Sequence, residues 1–393
     1  MMICYPGLMK LKTKPIVYEN VLLGSDSSTL EQLKELSSKR KAMEESINAN
    51  SHVTEAIARE MSGGLTSRCE QDVQKVEHYL PLLENLVHNI DVGFKNHPQM
   101  VCSISNLKIR WITTVVNPSS IFHLKAPNFH QINDIHFELG MTLFLYGSLL
   151  RGRALEVLSS GKHSSYMMND RLAPDRLAPH ISQNRCVYDY IAREVRTPKI
   201  RGEDGITKAT SYVSSVMSLI CLADAQGVTA RKSEENGNSD ILLAKLHYGI
   251  TEFLGEAIEM LQAPIKDCKD ISSRIMDYIM NCKTLHKLKC YKHVAENHKS
   301  EGKIGIAVGL LRRELSNAKK SVPKDETQRL VFKQVMDDLS IVLRKYEHEN
   351  EFVWREKVPT RNELPSAHGV KIVSLIPYQP HKFNGKKHMF FKL

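Results

Sequence analysis

The sequence lacks the features that most quickly identify a secreted, membrane-spanning or disulfide-rich protein. Its 393 residues include eight cysteines with no Cys-x-x-Cys pair, so we expect reduced thiols rather than a disulfide scaffold. No apolar run approaches the roughly 20 residues that cross a bilayer, and the first residues show no signal-peptide pattern. The sequence therefore predicts a cytosolic protein without a membrane span.

Motifs of the known catalytic classes are also missing from the sequence. It contains no Gly-x-Ser-x-Gly elbow, and no cysteine stands in a recognisable active-site sequence. Residues 160–163 resemble the end of a phosphate loop, but Glu156 stands where the first glycine of that motif belongs. We therefore predict a protein that is not an enzyme and that uses no cofactor.

A row of metal-competent side chains recurs every three or four residues at Cys282, His286, Cys290 and His293. On one helix the outer members lie roughly 16 Å apart along the axis, at 1.5 Å per residue. A zinc ion needs all its ligands within about 2.3 Å of one point. We interpret the row as a helix-packing seam and predict no metal site there.

The net charge is the first feature that indicates a class of binding partner. Lys and Arg number 54 against 44 Asp and Glu, a net charge of +10, which favours acidic partners such as phosphates, anionic lipid or an acidic protein face. The basic region 283–324 and the Phe-containing basic tail 381–393 are either solvated surface or a contact for such a partner. Because no nucleic-acid fold signature accompanies the charge, nucleic acid is not an expected partner.

Apolar periodicity predicts a chain of helices after one or two short edge strands within 10–22. We expect a first helix over 28–47, capped by a box at Ser28, a second helix through 73–90 that bends at Pro81, and a buried helix over 132–158. The stretch 159–183 contains prolines that discourage a continuous helix, so we predict an irregular insert there. Further helices are predicted at 186–195, 203–230, 240–262, 269–298, 303–321 and 325–348.

Successive helices of 20 to 30 residues joined by short loops indicate a tetratricopeptide-like helical array. Prolines recur after residue 350, so the chain there is expected to run extended over the helices. We assign residues 1–380 to a single domain, followed by the basic tail.

The segment Ile241–Leu261 has an unusually wide apolar arc. A core stripe is predicted at Leu243, Ile250, Leu254, Ala257 and Leu261, and Leu242, Leu246 and Phe253 extend it to one side. Either a second core helix covers that flank, or the flank forms part of a groove for the amphipathic helix of a partner.

Several segments together resemble the Bro-one (BRO) domain of Alix, BROX and related endosomal proteins, and the chain is most similar to the short BROX-like and plant endosomal-targeting members. The resemblance implies a mostly α, curved, boomerang-shaped domain with a tetratricopeptide-like core and a small N-terminal β-sheet. The segments that carry it are Leu107–Trp111, the helix that begins at Phe137, Leu222–Val228, Ile241–Ala257 and Phe352–Pro359.

The resemblance also implies a function. Members of the family bind the C-terminal amphipathic helix of an ESCRT-III subunit, of the charged multivesicular body protein class, and act as scaffolds in multivesicular body sorting and membrane remodelling. Leu242 and Leu246 match positions of the family's hydrophobic patch, whereas Thr229 stands where a large aromatic side chain is usual. Trp354 replaces a tyrosine that is phosphorylated in Alix-like members, so that regulation is not transferred.

The implied location is the cytosol, with recruitment to endosomal and multivesicular body membranes. Two other functions stay open at this point. One is a peripheral protein that binds anionic lipid, and the other is a general tetratricopeptide-like adaptor for a different peptide.

Overall fold

The computed structural model describes residues 11–48, 68–96, 106–112, 129–160, 187–191, 205–262, 273–374, 378–379 and 388–391. Most of these residues are helical. The long helices are α1 (Ser27–Asn48), α2 (Arg68–Asn96), α3 (Ile135–Ser160), α4 (Gly205–Glu235), α5 (Asp240–Gln262), α6 (Ser273–Ser300), α7 (Ile304–Lys319) and α8 (Glu326–Glu349). These helices confirm the eight longer ones predicted from the sequence, and Pro81 lies inside α2 as expected. Of the predicted helix 186–195, only residues 187–191 are described, and they are helical. Most of the predicted insert, from residue 161 to 183, lies outside the described residues.

The start of α1 differs from the prediction. The helix begins at Ser27, and the side chain of Asp26 accepts a hydrogen bond from the backbone N–H of Thr29 at 3.1 Å. Asp26 is therefore the residue that caps α1, and the predicted capping box at Ser28 was wrong. An aspartate placed two residues earlier satisfies the free N–H groups of the first turn equally well.

A small antiparallel sheet lies beside α1 and α3. Its strands are β1 (Lys12–Thr13), β2 (Ile109–Ile112) and β3 (His130–Ile132), in the order β1-β2-β3, with Thr13 opposite Trp111. The predicted strand near residue 12 is confirmed, but the rest of the predicted strand region forms a 3-10 turn at Tyr18–Asn20. The mostly α fold with a small N-terminal sheet is thus confirmed.

A buried polar network holds the sheet to the first helices. Arg40 of α1 donates to the carboxylate of Glu138 of α3 at 2.7 Å, and the indole N–H of Trp111 donates to the other oxygen of that carboxylate at 2.7 Å. All three side chains are buried. Paired charges with their remaining hydrogen bonds satisfied are the form in which ions are tolerated in a protein interior.

Helices α4 to α8 form the second half of the fold, and each packs mainly on the next one in sequence. Short turns join α4 to α5 and α6 to α7, and each contains a glycine with positive φ, Gly237 at 69° and Gly302 at 79°. Within α4, the stretch Tyr212–Glu235 is long and apolar enough to cross a membrane by length and composition, but 67% of its most apolar part is buried inside the fold. Packing against neighbouring helices accounts for this composition.

The chain after α8 returns across the molecule. A π-helical turn, Asn350–Trp354, ends at Arg355 with a left-handed φ of 52°. The segment 355–374, which we call the strap, then crosses the helices without regular secondary structure and contains one turn at 361–363. Gly305 and Gly309 of α7 lie directly beneath it, as do Tyr291 of α6 and Gly249 of α5. The predicted course over the helices is therefore confirmed, but the chain is not extended throughout, because turns interrupt it at 350–354 and 361–363.

Beyond the strap, the described residues continue toward the first helices. The hydroxyl of Tyr378 donates to Glu84 of α2 at 3.1 Å, and the N–H of Phe390 donates to the side chain of Thr29 in α1 at 3.0 Å. Phe391 forms a β-bridge with Gly24. The described part of the basic tail, residues 388–391, therefore packs on the body of the protein.

Candidate partner-binding face

The three residues matched to the family's patch lie on the hairpin formed by α4 and α5. Thr229 is in the last two turns of α4, and Leu242 is in the first turn of α5, directly after the connection that contains Gly237. Leu246 follows one turn later on α5. The hairpin therefore brings the two segments that contain them to the same end of the helix pair.

These residues differ in what they offer to a partner. Leu242 is 40% exposed and its neighbour Ile241 is 49% exposed, whereas Leu246 is only 1% exposed and belongs to the core. Thr229 is half-buried, and its hydroxyl donates to the carbonyl of Ala225 in its own helix at 3.1 Å. Leu246 thus supports the surface formed by Ile241 and Leu242 from beneath.

The wide apolar arc of α5 resolves into two parts. Leu243, Ile250, Leu254 and Ala257 of the core stripe are buried as predicted, and so are Leu246 and Phe253 of the flank. Lys371 of the strap lies over the ring of Phe253, with its ammonium 4.8 Å from the ring centroid. The protein itself therefore covers most of the flank, and only the end that carries Ile241 and Leu242 stays open.

One side chain fixes the strap against this helix pair. The buried amide of Gln226 in α4 donates to the carbonyls of Leu246 and Val370, at 2.8 and 2.9 Å, and accepts from the N–H of Ile372 at 3.1 Å. The N–H of Val370 donates to the carbonyl of Lys245 at 3.1 Å. This pairing resembles a strand ladder in which a side chain supplies the partner groups, and nothing in the sequence pattern around Gln226 predicted it.

The strap adds its own apolar groups where it crosses α4 and α5. Val370 is 43% exposed and Ile372 is 49% exposed. Together with Ile241 and Leu242 they make up what we call the α5–strap surface. The neighbouring Lys245 is exposed, so a cationic side chain lies one turn from Leu242. Isolated apolar side chains are common on protein surfaces, but an exposed pair at the start of α5 and a second pair on the strap that crosses the same helix mark a candidate contact site.

A histidine cluster lies behind this surface, between α5 and α6. The Nδ1 atoms of His247 and His286 are 3.1 Å apart, and the ring of His247 is stacked on that of His293 with centroids 5.9 Å apart. Burial lowers the pKa of His286 to about 3 and also lowers the pKa of His247, which the facing His286 depresses further. Burial also acts to lower the pKa of His293, but hydrogen bonds to Glu296 and Asp240 raise it above its ordinary value.

The row of cysteines and histidines on α6 is buried, as its interpretation as a packing seam requires. Cys290 packs with Ala244, Leu310 and Ala367, and burial raises the pKa of its thiol to about 12. His286 and His293 both contact His247, but His286 hydrogen-bonds His247 whereas His293 hydrogen-bonds Asp240, so the row does not form one ligand set. His293 instead meets two carboxylates, an arrangement that the sequence spacing did not reveal.

Comparison with known proteins relates this sequence and fold to a known domain family. A sequence model of the BRO1-like domain matches residues 31–393. The structure of an ALIX BRO1–CHMP4C complex has a TM-score of 0.66 at 15% identity, with 96% of this chain and 96% of that chain covered. No curated protein sequence matches the chain.

Two further solved structures share the fold. ALIX in complex with the SIVmac239 PYKEVTEDL late domain gives a TM-score of 0.70 at 15% identity, and the match covers 96% of this chain and 49% of that one. A structure that describes endosomal targeting by the Bro1 domain gives 0.62 at 14% identity, with 96% and 93% covered. The strap and the α4–α5 hairpin lie within the matched residues of the domain.

Proposed function

Because this chain belongs to the BRO1-like domain family, we propose that it is a non-enzymatic adaptor of endosomal sorting that binds the C-terminal amphipathic helix of an ESCRT-III subunit. The observation that carries the proposal is the exposed pair Ile241 and Leu242 beside the strap, on a fold that in ALIX is recorded in complex with CHMP4C. The adaptor acts from the cytosol and is recruited to endosomal and multivesicular body membranes.

The contact follows the general physics of a helix laid on an apolar surface. A partner helix with apolar side chains at i, i+3, i+4 and i+7 covers Leu242 and Ile241, and the strap residues Val370 and Ile372 border it. Leu246 supports this surface from below, and Thr229 contributes a small side chain on α4. Lys245 attracts acidic positions of the partner, which affects its rate of association more than its affinity.

Thr229 sets the expected strength of this contact. A large aromatic side chain at this position would add apolar area to the interface, and aromatic residues are frequent among those that dominate binding energy. The small threonine removes that contribution, so we expect weaker binding than in family members that carry the aromatic residue.

The test is calorimetric titration with synthetic C-terminal helix peptides of ESCRT-III subunits, including that of CHMP4C. The informative variant is Leu242→Asp, because Leu242 is half-exposed and its replacement leaves the core intact. We expect at least a tenfold loss of affinity, which corresponds to about 1.4 kcal/mol. The matched control is Leu330→Asp on α8, where the leucine is 64% exposed and lies on a distant helix.

Equal binding by the parent and by Leu242→Asp would remove the α5–strap surface from the proposal. If no ESCRT-III peptide binds, but anionic vesicles bind with an affinity that falls steeply as salt is raised, the lipid-binding function replaces the proposal. If an unrelated peptide binds in a Leu242-independent way, the protein is a general adaptor. Leu246→Asp is not a suitable probe, because a buried charge at that position would damage the fold.

A further inference from the structure

The carboxylates of Asp240 and Glu296 and the imidazole of His293 converge where the first turn of α5 lies against α6. The Nδ1 atom of His293 lies 2.8 Å from Oδ1 of Asp240 and 3.3 Å from Oε2 of Glu296. One potential ligand atom from each residue falls within 4.8 Å of the other two. Asp240 is the first residue of α5, and the other two residues lie one turn apart on α6.

We propose that Asp240, His293 and Glu296 form a binding site for one divalent transition-metal ion of the zinc class, which joins the start of α5 to α6. Imidazole nitrogen and carboxylate oxygen are both zinc ligands in proteins, and a water would complete a four-coordinate shell with these three donors. Magnesium and calcium prefer all-oxygen sites, so the imidazole selects against them.

A second histidine that contacts two carboxylates shows why the positions of the carboxylates around the ring matter. His136 also meets two carboxylates, but Asp134 lies 2.9 Å from its Nδ1 atom and Asp91 lies 3.0 Å from its Nε2 atom. Those carboxylates occupy opposite sides of the ring and cannot share one ion with a single nitrogen. At His293 both carboxylates face the same nitrogen, so all three donors are directed to one place.

The charges at the His293 cluster also favour a cation. A single N–H on Nδ1 points well at only one acceptor, whereas two carboxylates are within reach of it. Lys292 offsets part of the negative charge, but it lies 3.8 Å from the Glu296 carboxylate and on the other oxygen, Oε1. A metal ion at Nδ1 replaces the proton and neutralises both carboxylates together.

The surroundings fit a site that is both rigid and accessible. His293 is buried and its ring is held parallel to that of His247, at an interplanar angle of 7°, so the position of its nitrogen is fixed. The carboxylates of Asp240 and Glu296 are partly exposed, which provides an entry path and room for a bound water. Movements of about 1 Å in these two side chains bring the donors to zinc distances.

The test is zinc binding by the reduced full-length protein, measured as stoichiometry and affinity by equilibrium dialysis. The site variant is Asp240→Asn with Glu296→Gln, which keeps both side-chain shapes and removes both charged ligands. The matched control is Asp91→Asn with Asp134→Asn, which makes the same changes at the His136 cluster. We expect the parent and the control to bind one more zinc equivalent than the site variant, and at least about tenfold more tightly.

A second readout separates a specific site from background binding by the chain's other histidines. Zinc should raise the unfolding temperature of the parent and the control but not that of the site variant, and magnesium should raise none of them. Equal zinc stoichiometry and equal thermal shifts in all three proteins would overturn the proposal. Peptide titrations run in a chelating buffer test the adaptor function separately, so the two proposals fail independently.

Discussion

The side-chain amide of Gln226 holds the backbone of Val370 although 144 residues separate them in sequence. The same side chain also bonds the N–H of Ile372 and the carbonyl of Leu246, so it joins α4, α5 and the strap at one point. Because the amide is fully buried, no water is available to replace these bonds if they are lost. Gln226 is therefore the one side chain in the described residues that hydrogen-bonds both Val370 and Ile372 of the strap.

We expect Gln226→Leu to loosen the strap and to lower the free energy of unfolding by about 1–3 kcal/mol, since buried backbone groups lose their partners. Limited trypsin digestion measures the effect, because Lys371 is an exposed cleavage site in the strap. Gln74→Leu on the exposed face of α2 is the control and should leave the cleavage rate unchanged. Slow cleavage at Lys371 in both variants would contradict this role of Gln226.

Two glycines on α5 provide a second test of the strap. A Cβ atom added at Gly249 would lie 2.3 Å from the carbonyl oxygen of Val370, so the backbone of the strap must move. At Gly255 an added Cβ meets only the flexible end of Lys283, at 3.2 Å. We expect Gly249→Ala to destabilise the protein and weaken peptide binding, whereas Gly255→Ala gains about 0.5–1 kcal/mol from helix propensity.

Urea unfolding of both variants, with peptide titration, distinguishes these effects. Comparable stabilities for the two alanine variants would show that the strap adapts without cost, contrary to the close contact at Gly249.

The ion pair between Arg40 and Glu138 is expected to stabilise the N-terminal half of the fold. Glu138→Gln leaves the buried guanidinium of Arg40 with only Glu44, 3.6 Å from Nη1, as a counter-charge, and we expect a loss of about 2–4 kcal/mol in the free energy of unfolding. Glu35→Gln on the exposed face of α1 should change it by less than about 0.5 kcal/mol. Chemical denaturation measures both, and a loss below 1 kcal/mol for Glu138→Gln would show that the pair is dispensable.

The histidines between α5 and α6 predict a loss of stability in mild acid. His247 and His286 stay neutral in the fold because burial lowers their pKa values, whereas the unfolded chain binds protons on both near pH 6.5. Stability therefore falls as the pH drops below about 6.5, by roughly 1–2 kcal/mol for each histidine at pH 5. The raised pKa of His293 acts in the opposite direction, since its stabilisation is complete at low pH and is lost as the pH rises.

Thermal unfolding between pH 7 and pH 5 measures the balance of these contributions. His286→Gln keeps a neutral partner for His247 and should reduce the loss on acidification. His348→Gln on the surface of α8 should not alter it. An unchanged pH profile in His286→Gln would assign the acid sensitivity to other groups.

Apolar periodicity predicted the long helices well, because most of them bury a continuous apolar face and several end at described turns such as those with Gly237 and Gly302. Strands β2 and β3, with four and three residues, are too short to show a period of their own. Periodicity also cannot choose between Asp26 and Ser28, because both residue types are suitable caps for the start of α1. The choice between them depends on where the chain leaves the preceding turn.

The candidate site shows what periodicity cannot supply. Leu242 and Leu246 are one turn apart and have the same local pattern, so sequence alone gives them the same environment. Their exposure differs because neighbouring elements, packed by contacts distant in sequence, bury Leu246 and leave Leu242 open. The three groups around His293 were missed for a similar reason, since Asp240 lies 53 residues from that histidine.

The docking of residues 388–391 on α1 also determines when the fold can be completed. Phe390 donates to Thr29 across a separation of 361 residues, so α1 receives these contacts only after residue 390 has left the ribosome. An open helical array assembles from either end, and its terminal helices fray first. Here α1 and the segment 388–391 stabilise each other, so we expect their amide hydrogens to exchange in one cooperative event rather than separately.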